Sequence, residues 1–191
     1  MRTPKSNDVI DEAVAFLRSW YNEQRVLIRH AHAHAAVAHY LGYNSKVALK
    51  SDENFDANDP ELICYRHTSV SNLSLHIAKM IDPTMAQLPI DQLARVIRGG
   101  LKPPCECCGE KHITTAPLGY DETSPDGWVC RGCKLSNDDE YGHCAFCGDH
   151  IIYRVADLNR NGECHEHAGE SDLDDEELED AESLSEYWLN H

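Results

Sequence analysis

No stretch of this 191-residue chain approaches the roughly 20 consecutive apolar residues that cross a bilayer, which excludes a helical membrane span. The opening segment, MRTPKSNDVIDEAVAFL, carries neither an apolar run behind a basic head nor a small-residue cleavage site. The expectation is a soluble, cytoplasmic protein with no membrane partner. Hydrophobic residues make up 41% of the chain, slightly low for a packed globule, which predicts modest cores. A phosphate-cradling glycine loop, a dinucleotide fingerprint and a paired Ser, His and acid set are also missing. The chain therefore reads as a non-enzyme.

Positive charge is scarce and unevenly placed. Basic and acidic residues number 11 and 11 in 1–99, 6 and 12 in 100–168, and 0 and 10 in 169–191, which sums to a net charge of −16. The last segment, GESDLDDEELEDAESLSEYWLNH, repels itself and is expected to be a disordered acidic tail. Leu178, Leu184, Tyr187, Trp188 and Leu189 within it suit a helix that folds on a protein partner.

In the first half, Ile10, Ala13, Val14, Leu17 and Tyr21 recur at helical spacing and predict a helix over 8–21, capped at Ser6 or Asn7. A second helix is expected from Val26 to Leu41, stopping at Gly42, before Asn44 or Ser45 starts a short third one over KVALK. The acidic, turn-rich 53–62 reads as a linker, and LICYRHTSV after it as a short strand. Leu73, Ile77, Met80 and Ile81 predict a helix ending before Pro83. Ile90, Leu93, Ala94 and Ile97 predict another, capped by Gly99-Gly100. His30, His32 and His34 alternate as ligands would on a strand, but the alanines between them favour helix, where they read as packing or solvent-facing residues. Cys64 reads as a small buried core residue.

The second half holds the chemistry. Cysteines occur nine times, mostly as C-x-x-C, and an odd number without a secretion signal suits a metal in a reducing compartment better than disulfides. Four ligand pairs follow one another: Cys105 and Cys108 in CECCG, Cys130 and Cys133 in VCRGC, Cys144 and Cys147 in HCAFCG, and Cys164 and His167 in ECHEH. Laid over itself at a shift of about forty residues, the chain aligns with itself, CECCGEKHI on CAFCGDHII and GWVCRGC on GECHEH, as a duplicated unit does. Each unit is expected to be a C-x-x-C turn relaxed by Gly109 or Gly148, then a hairpin, then a second pair. Two such turns supply the four ligands of a tetrahedral zinc ion. Two structural zinc ions are therefore expected, one on Cys105, Cys108, Cys130 and Cys133, the other on Cys144, Cys147, Cys164 and His167. Cross-braced wiring, first pair with third and second with fourth, is the alternative. Cys107 is expected to point away, and His165 rivals His167. His112, His143 and His150 lie close enough to replace a cysteine or to hydrogen-bond a thiolate.

These pairs resemble zinc-ribbon and treble-clef modules over about 65 residues, and AVAHYLGYNSKVAL, within 34–50, resembles a helix-turn-helix. The fold class is read as α+β. A helical domain (1–52) leads through a linker, strand and two helices (53–101) to a tandem zinc module (102–168) and the acidic tail (169–191). The first function that suits these segments is a non-enzymatic zinc-binding adaptor or regulator working through protein–protein contact. A DNA-binding regulator reading its site through residues 34–50 of the N-terminal half is a second; Arg18, Arg25, Arg29, Lys46 and Lys50 offer that half a basic face for phosphate, but in a half that is neutral overall they read by default as a solvated face. A RING-like ubiquitin-transfer module, which requires the cross-braced wiring, is a third, and a redox or iron-transfer protein a fourth.

Overall fold

The computed structural model describes residues 6–56, 69–79, 83–119, 125–148 and 151–171. Two compact units emerge, Met1–Ser136 and Asn137–His191. The first contains α1 (Ser6–Glu23), α2 (His30–Tyr40), α3 (Lys46–Ser51), α4 (Ser69–Ile77), α5 (Pro83–Ala86), α6 (Ile90–Leu101), β1 (Thr115–Leu118), β2 (Gly127–Cys130) and α7 (Arg131–Ser136). The second contains β3 (Tyr141–Gly142), β4 (Tyr153–Arg154) and two 3₁₀ turns, Val155–Asp157 and His165–His167.

The helical core follows from spacing. Val9, Ile10, Ala13, Val14, Leu17 and Tyr21 put one face of α1 indoors, and Leu93, Ala94, Val96, Ile97 and Leu101 do the same for α6. Helix α1 packs on α6 and α2, α2 on α4, and α4 on α6, a ring of four helices around a single core that runs from Val9 to Leu101. Residues on both sides of position 52 thus share one core, where the sequence suggests two segments. The expected start of a zinc module at 102 likewise falls inside the first unit.

Helix ends explain where the boundaries differ from expectation. After α1 the chain turns at Arg25, whose φ of 63° is left-handed. Its amide bonds Asn22 O at 2.9 Å, and that of Val26 bonds Tyr21 O at 2.9 Å. This Schellman turn occupies the residues expected to open the second helix, so α2 starts at His30 rather than Val26. Gly42 ends α2 as expected: at φ +90° its amide reaches His39 O and that of Tyr43 reaches Ala38 O. Ser45 caps α3, its hydroxyl accepting the Ala48 amide at 3.1 Å. The expected strand LICYRHTSV falls mostly outside the described residues, as do Cys64, Met80, Ile81 and the tail beyond Ser171, and its last two residues, Ser69 and Val70, belong to α4.

Gly99 and Gly100 do not cap α6; the helix runs through both and ends at Leu101. A Cβ on Gly99 would lie 2.8 Å from Ile113 Cα, and one on Gly100 2.9 Å from Ala13 Cα. Two interior helical glycines cost about 2 kcal/mol relative to alanine. Close approach of α6 to α1 and to the loop before β1 is what requires them.

Of the α2 histidines, His34 and His39 are packed indoors and His30 is exposed. The rings of His30 and His34 meet edge to face at 4.4 Å, and His39 stacks on His76 of α4 at 3.8 Å. His34 is buried, its Nε2 3.6 Å from Asp11 and its Nδ1 without a hydrogen bond. Burial, reinforced by the charges of Lys46 and His30 and opposed by Asp11, pushes its pKa down to about 4. Folding thus favours the neutral ring, while the unfolded chain takes up a proton near pH 6.5. Stability contributed by neutral His34 is complete above about pH 6.5 and is lost as the pH falls towards 4. We expect a fall on the order of 2 kcal/mol across that window, and a His34→Phe variant with a visibly flatter slope in urea denaturation at pH 7 and pH 4.5. Equal slopes would refute this role.

Candidate metal centre

The first site is assembled by a turn, a hairpin and a helix start. Cys105 and Cys108 flank a turn closed by Gly109 at φ +73°, and the Gly109 amide returns to Cys105 O at 2.8 Å. Strands β1 and β2 pair antiparallel with Thr115 opposite Cys130 and Leu118 opposite Gly127, which carries the chain back to the turn. Cys130 ends β2 and Cys133 sits in the first turn of α7. The ligand atoms of Cys105, Cys108, Cys130 and Cys133 all lie within 4.8 Å of one another.

Amides feed the sulfurs. The Cys130 amide donates to Cys105 Sγ at 3.3 Å, and the Cys133 amide to Cys130 Sγ at 3.4 Å. Burial pushes the Cys105 thiol up, but the amide bonds of Cys108, Cys130 and Cys107 outweigh it and bring the group to about 6. A thiolate held by oriented N–H groups is the form a metal takes. His112 Nε2 lies 3.3 Å from Cys108 Sγ and so borders the site as a hydrogen-bonding neighbour of that sulfur.

The second site repeats the amide pattern. The Cys164 amide donates to Cys144 Sγ at 3.4 Å, the counterpart of the Cys130 bond, and Gly148 has φ +84° where Gly109 has +73°. Cys144, Cys147, Cys164 and His167 also gather their ligand atoms within 4.8 Å. His167 Nδ1 stands 3.7, 3.3 and 3.3 Å from the sulfurs of Cys144, Cys147 and Cys164, and the last two sulfurs are 3.6 Å apart. Bonds of about 2.3 Å to sulfur and 2.05 Å to nitrogen imply tetrahedral edges of roughly 3.5 to 3.8 Å. Both donor sets suit a zinc ion.

The expected hairpin between the two pairs of each unit holds only for the first. In the second, β3 precedes Cys144 and pairs across it with β4, Tyr141 opposite Arg154. Only 16 residues separate Cys147 from Cys164, against 21 between Cys108 and Cys130. That shorter gap holds one short strand and a 3₁₀ turn, and the partner strand comes from upstream.

The wiring is sequential, since Cys105 meets Cys130 and Cys144 meets Cys164. His165, largely exposed and paired with Glu166 at 2.9 Å, is not in the second cluster. His143 Nδ1 faces Ile151 O at 2.7 Å, and His150 lies outside the described residues. Cys107 is exposed and does not belong to the first four-ligand cluster. Among the described residues the α2 histidines join no metal-ligand cluster.

No protein-family model matches the chain, and comparison with curated proteins and with solved structures returns no significant match. The likeness to zinc-ribbon modules therefore rests on the two ligand clusters themselves. No helix among the described residues is long and apolar enough to cross a membrane.

Two supporting residues carry no motif. Tyr153 on β4 places its hydroxyl 3.1 Å from Cys147 Sγ. Glu163, buried beside Cys164, accepts the amides of Gly169 and Ser171 at 2.9 and 2.6 Å, the Asn159 side-chain amide at 2.6 Å, and the Ser171 hydroxyl. Those bonds, led by the Ser171 hydroxyl, hold its carboxyl down at about 2.

Proposed function

We propose that this protein is a non-enzymatic zinc-binding adaptor, in which two structural zinc ions shape surfaces that engage protein partners. The observation that carries the reading is the closure of both ligand sets. Each brings four protein ligands together, seven sulfurs and one imidazole in all. Catalytic zinc keeps one position for water or substrate, and its usual ligands are histidine and carboxylate. Thiolate-rich sites of four ligands hold the chain rather than the substrate.

The adaptor reading is preferred over the DNA-binding one on charge and on the shape of α3. That helix has six residues, and its Lys50 pairs with Asp11 at 3.3 Å. A net charge of −16 opposes phosphate contact. The RING-like reading needs cross-braced ligands, whereas the clusters are sequential.

Native mass spectrometry of protein purified without added metal tests the foundation. Two zinc ions lost on acid denaturation, with no disulfide mass deficit, are expected. Affinity capture with the intact chain and with a chain ending at Ser171 then tests the tail, whose removal should cut partner retention. One metal or none, or no partner retained by either chain, would overturn the proposal.

A further inference from the structure

A groove of about 640 Å³ lies between α1 and the loop leading to β1, next to the Gly109 turn of the first zinc site. Glu12, Phe16, Trp20 and Glu23 line one wall at one-turn spacing along α1, and Glu110 and Ile113 line the other. Phe16, Trp20 and Ile113 are partly buried against the helical core, so the groove has an apolar floor that remains partly open to solvent.

Its charge is one-sided. Lys111 also lines the groove, but its ammonium is committed: Nζ donates to Gly100 O at 2.9 Å and Lys102 O at 2.7 Å and meets Glu12 at 3.2 Å. With that pair neutralised, Glu23 and Glu110 set the sign, and neither has an ion-pair partner among the described residues. Four thiolates around one zinc ion carry a further net charge of −2 beside Gly109 when the site is loaded.

We infer that this groove binds an arginine-bearing basic segment of a partner protein. A guanidinium stacks on the partly exposed face of Trp20 while its N–H fork meets the carboxylate of Glu23 or Glu110. The protein's own acidic tail is a poor occupant, because it brings ten carboxylates and no lysine or arginine to a wall of the same sign. The inference rests on the adaptor reading and gives it one docking surface and one partner chemistry.

The test uses the full-length, zinc-loaded chain and a fluorescent synthetic peptide of four Arg-Ser-Gly repeats ending in benzoylphenylalanine, with a Glu-for-Arg peptide as control. Anisotropy should show binding of the arginine peptide that weakens with salt, and none of the control. Photo-crosslinks mapped by mass spectrometry should fall on 12–23 and 109–114. The surface variant Glu23→Gln with Glu110→Gln should keep both zinc ions and its helical circular dichroism, yet bind about tenfold more weakly. Crosslinks confined to 172–191, or an affinity unchanged in the double variant, would overturn the groove assignment. Because the readout uses purified protein and a synthetic peptide, its failure leaves partner capture untouched. Groove binding without any captured partner would instead count against the adaptor reading.

Discussion

Replacing Cys164 with serine should lower the bound zinc from two ions to one and unfold residues 137–171, while the helical signal of the first unit persists. The reason lies in what forms the core there. Its buried cluster is Cys144, Tyr153 and Cys164, with Cys147, Ile151 and Leu158 packed on it, so three of the six residues are metal ligands. So small an apolar cluster does not fold a chain. Metal binding contributes on the order of 10 kcal/mol to such modules, comparable to the whole stability of an ordinary domain. Serine at 164 deletes a sulfur 3.6 Å from Cys147 Sγ and 3.3 Å from His167 Nδ1. Amide hydrogen exchange read by peptide, alongside the metal count, checks the result. Retained protection across 137–171 with one zinc bound would sink it.

Gly99→Ala should destabilise the first unit by roughly 1 to 2 kcal/mol, although alanine is the better helix former. Two effects oppose each other. Helix propensity favours the change by about 1 kcal/mol. Against it, the new methyl would sit 2.8 Å from Ile113 Cα and 3.2 Å from its nitrogen, which is backbone and has no rotamer to change. That loop is also tied down by Lys111, which bonds Gly100 O and Lys102 O on the same helix end. Overpacking costs of typically 1 to 3 kcal/mol, and more where backbone must shift, exceed the propensity gain. The melting temperature should fall by about 5 to 10 °C. Gly42→Ala offers a contrast, since nothing lies within 4 Å of its added carbon and only φ +90° resists it, at about 1 to 2 kcal/mol. If Gly99→Ala were neutral or stabilising, the close contact between α6 and the loop would not be part of the native packing.

Much of this was legible from spacing. Periodicity placed α1 and α6, since Ile10, Val14 and Leu17 on the one and Leu93 and Ile97 on the other lie inside. The repeat of C-x-x-C followed by glycine foretold the sequential ligand sets, because a shared local turn imposes the same sulfur geometry twice. Gly42 and Ser45 were readable as a stop and a start, each from its own local chemistry. The doublet Gly99-Gly100 misled, because glycine signals both a cap and a close approach, and only tertiary packing separates them. Arg25 gave no sign of a helix stop, as arginine rarely adopts positive φ. Glu163 reads as surface charge. Its burial depends on hydrogen bonds from four other groups, which no local pattern in the sequence encodes.

Glu163 also sets the shortest chain that can carry the second site. Its carboxylate takes amides from Gly169 and Ser171, beyond the last ligand at His167. A fragment cut after Ala168 would keep all eight ligands yet strip that buried carboxylate of every partner except Asn159. Residues 169 to 171 are thus part of the metal domain's framework, and any fragment meant to carry the second site must reach Ser171.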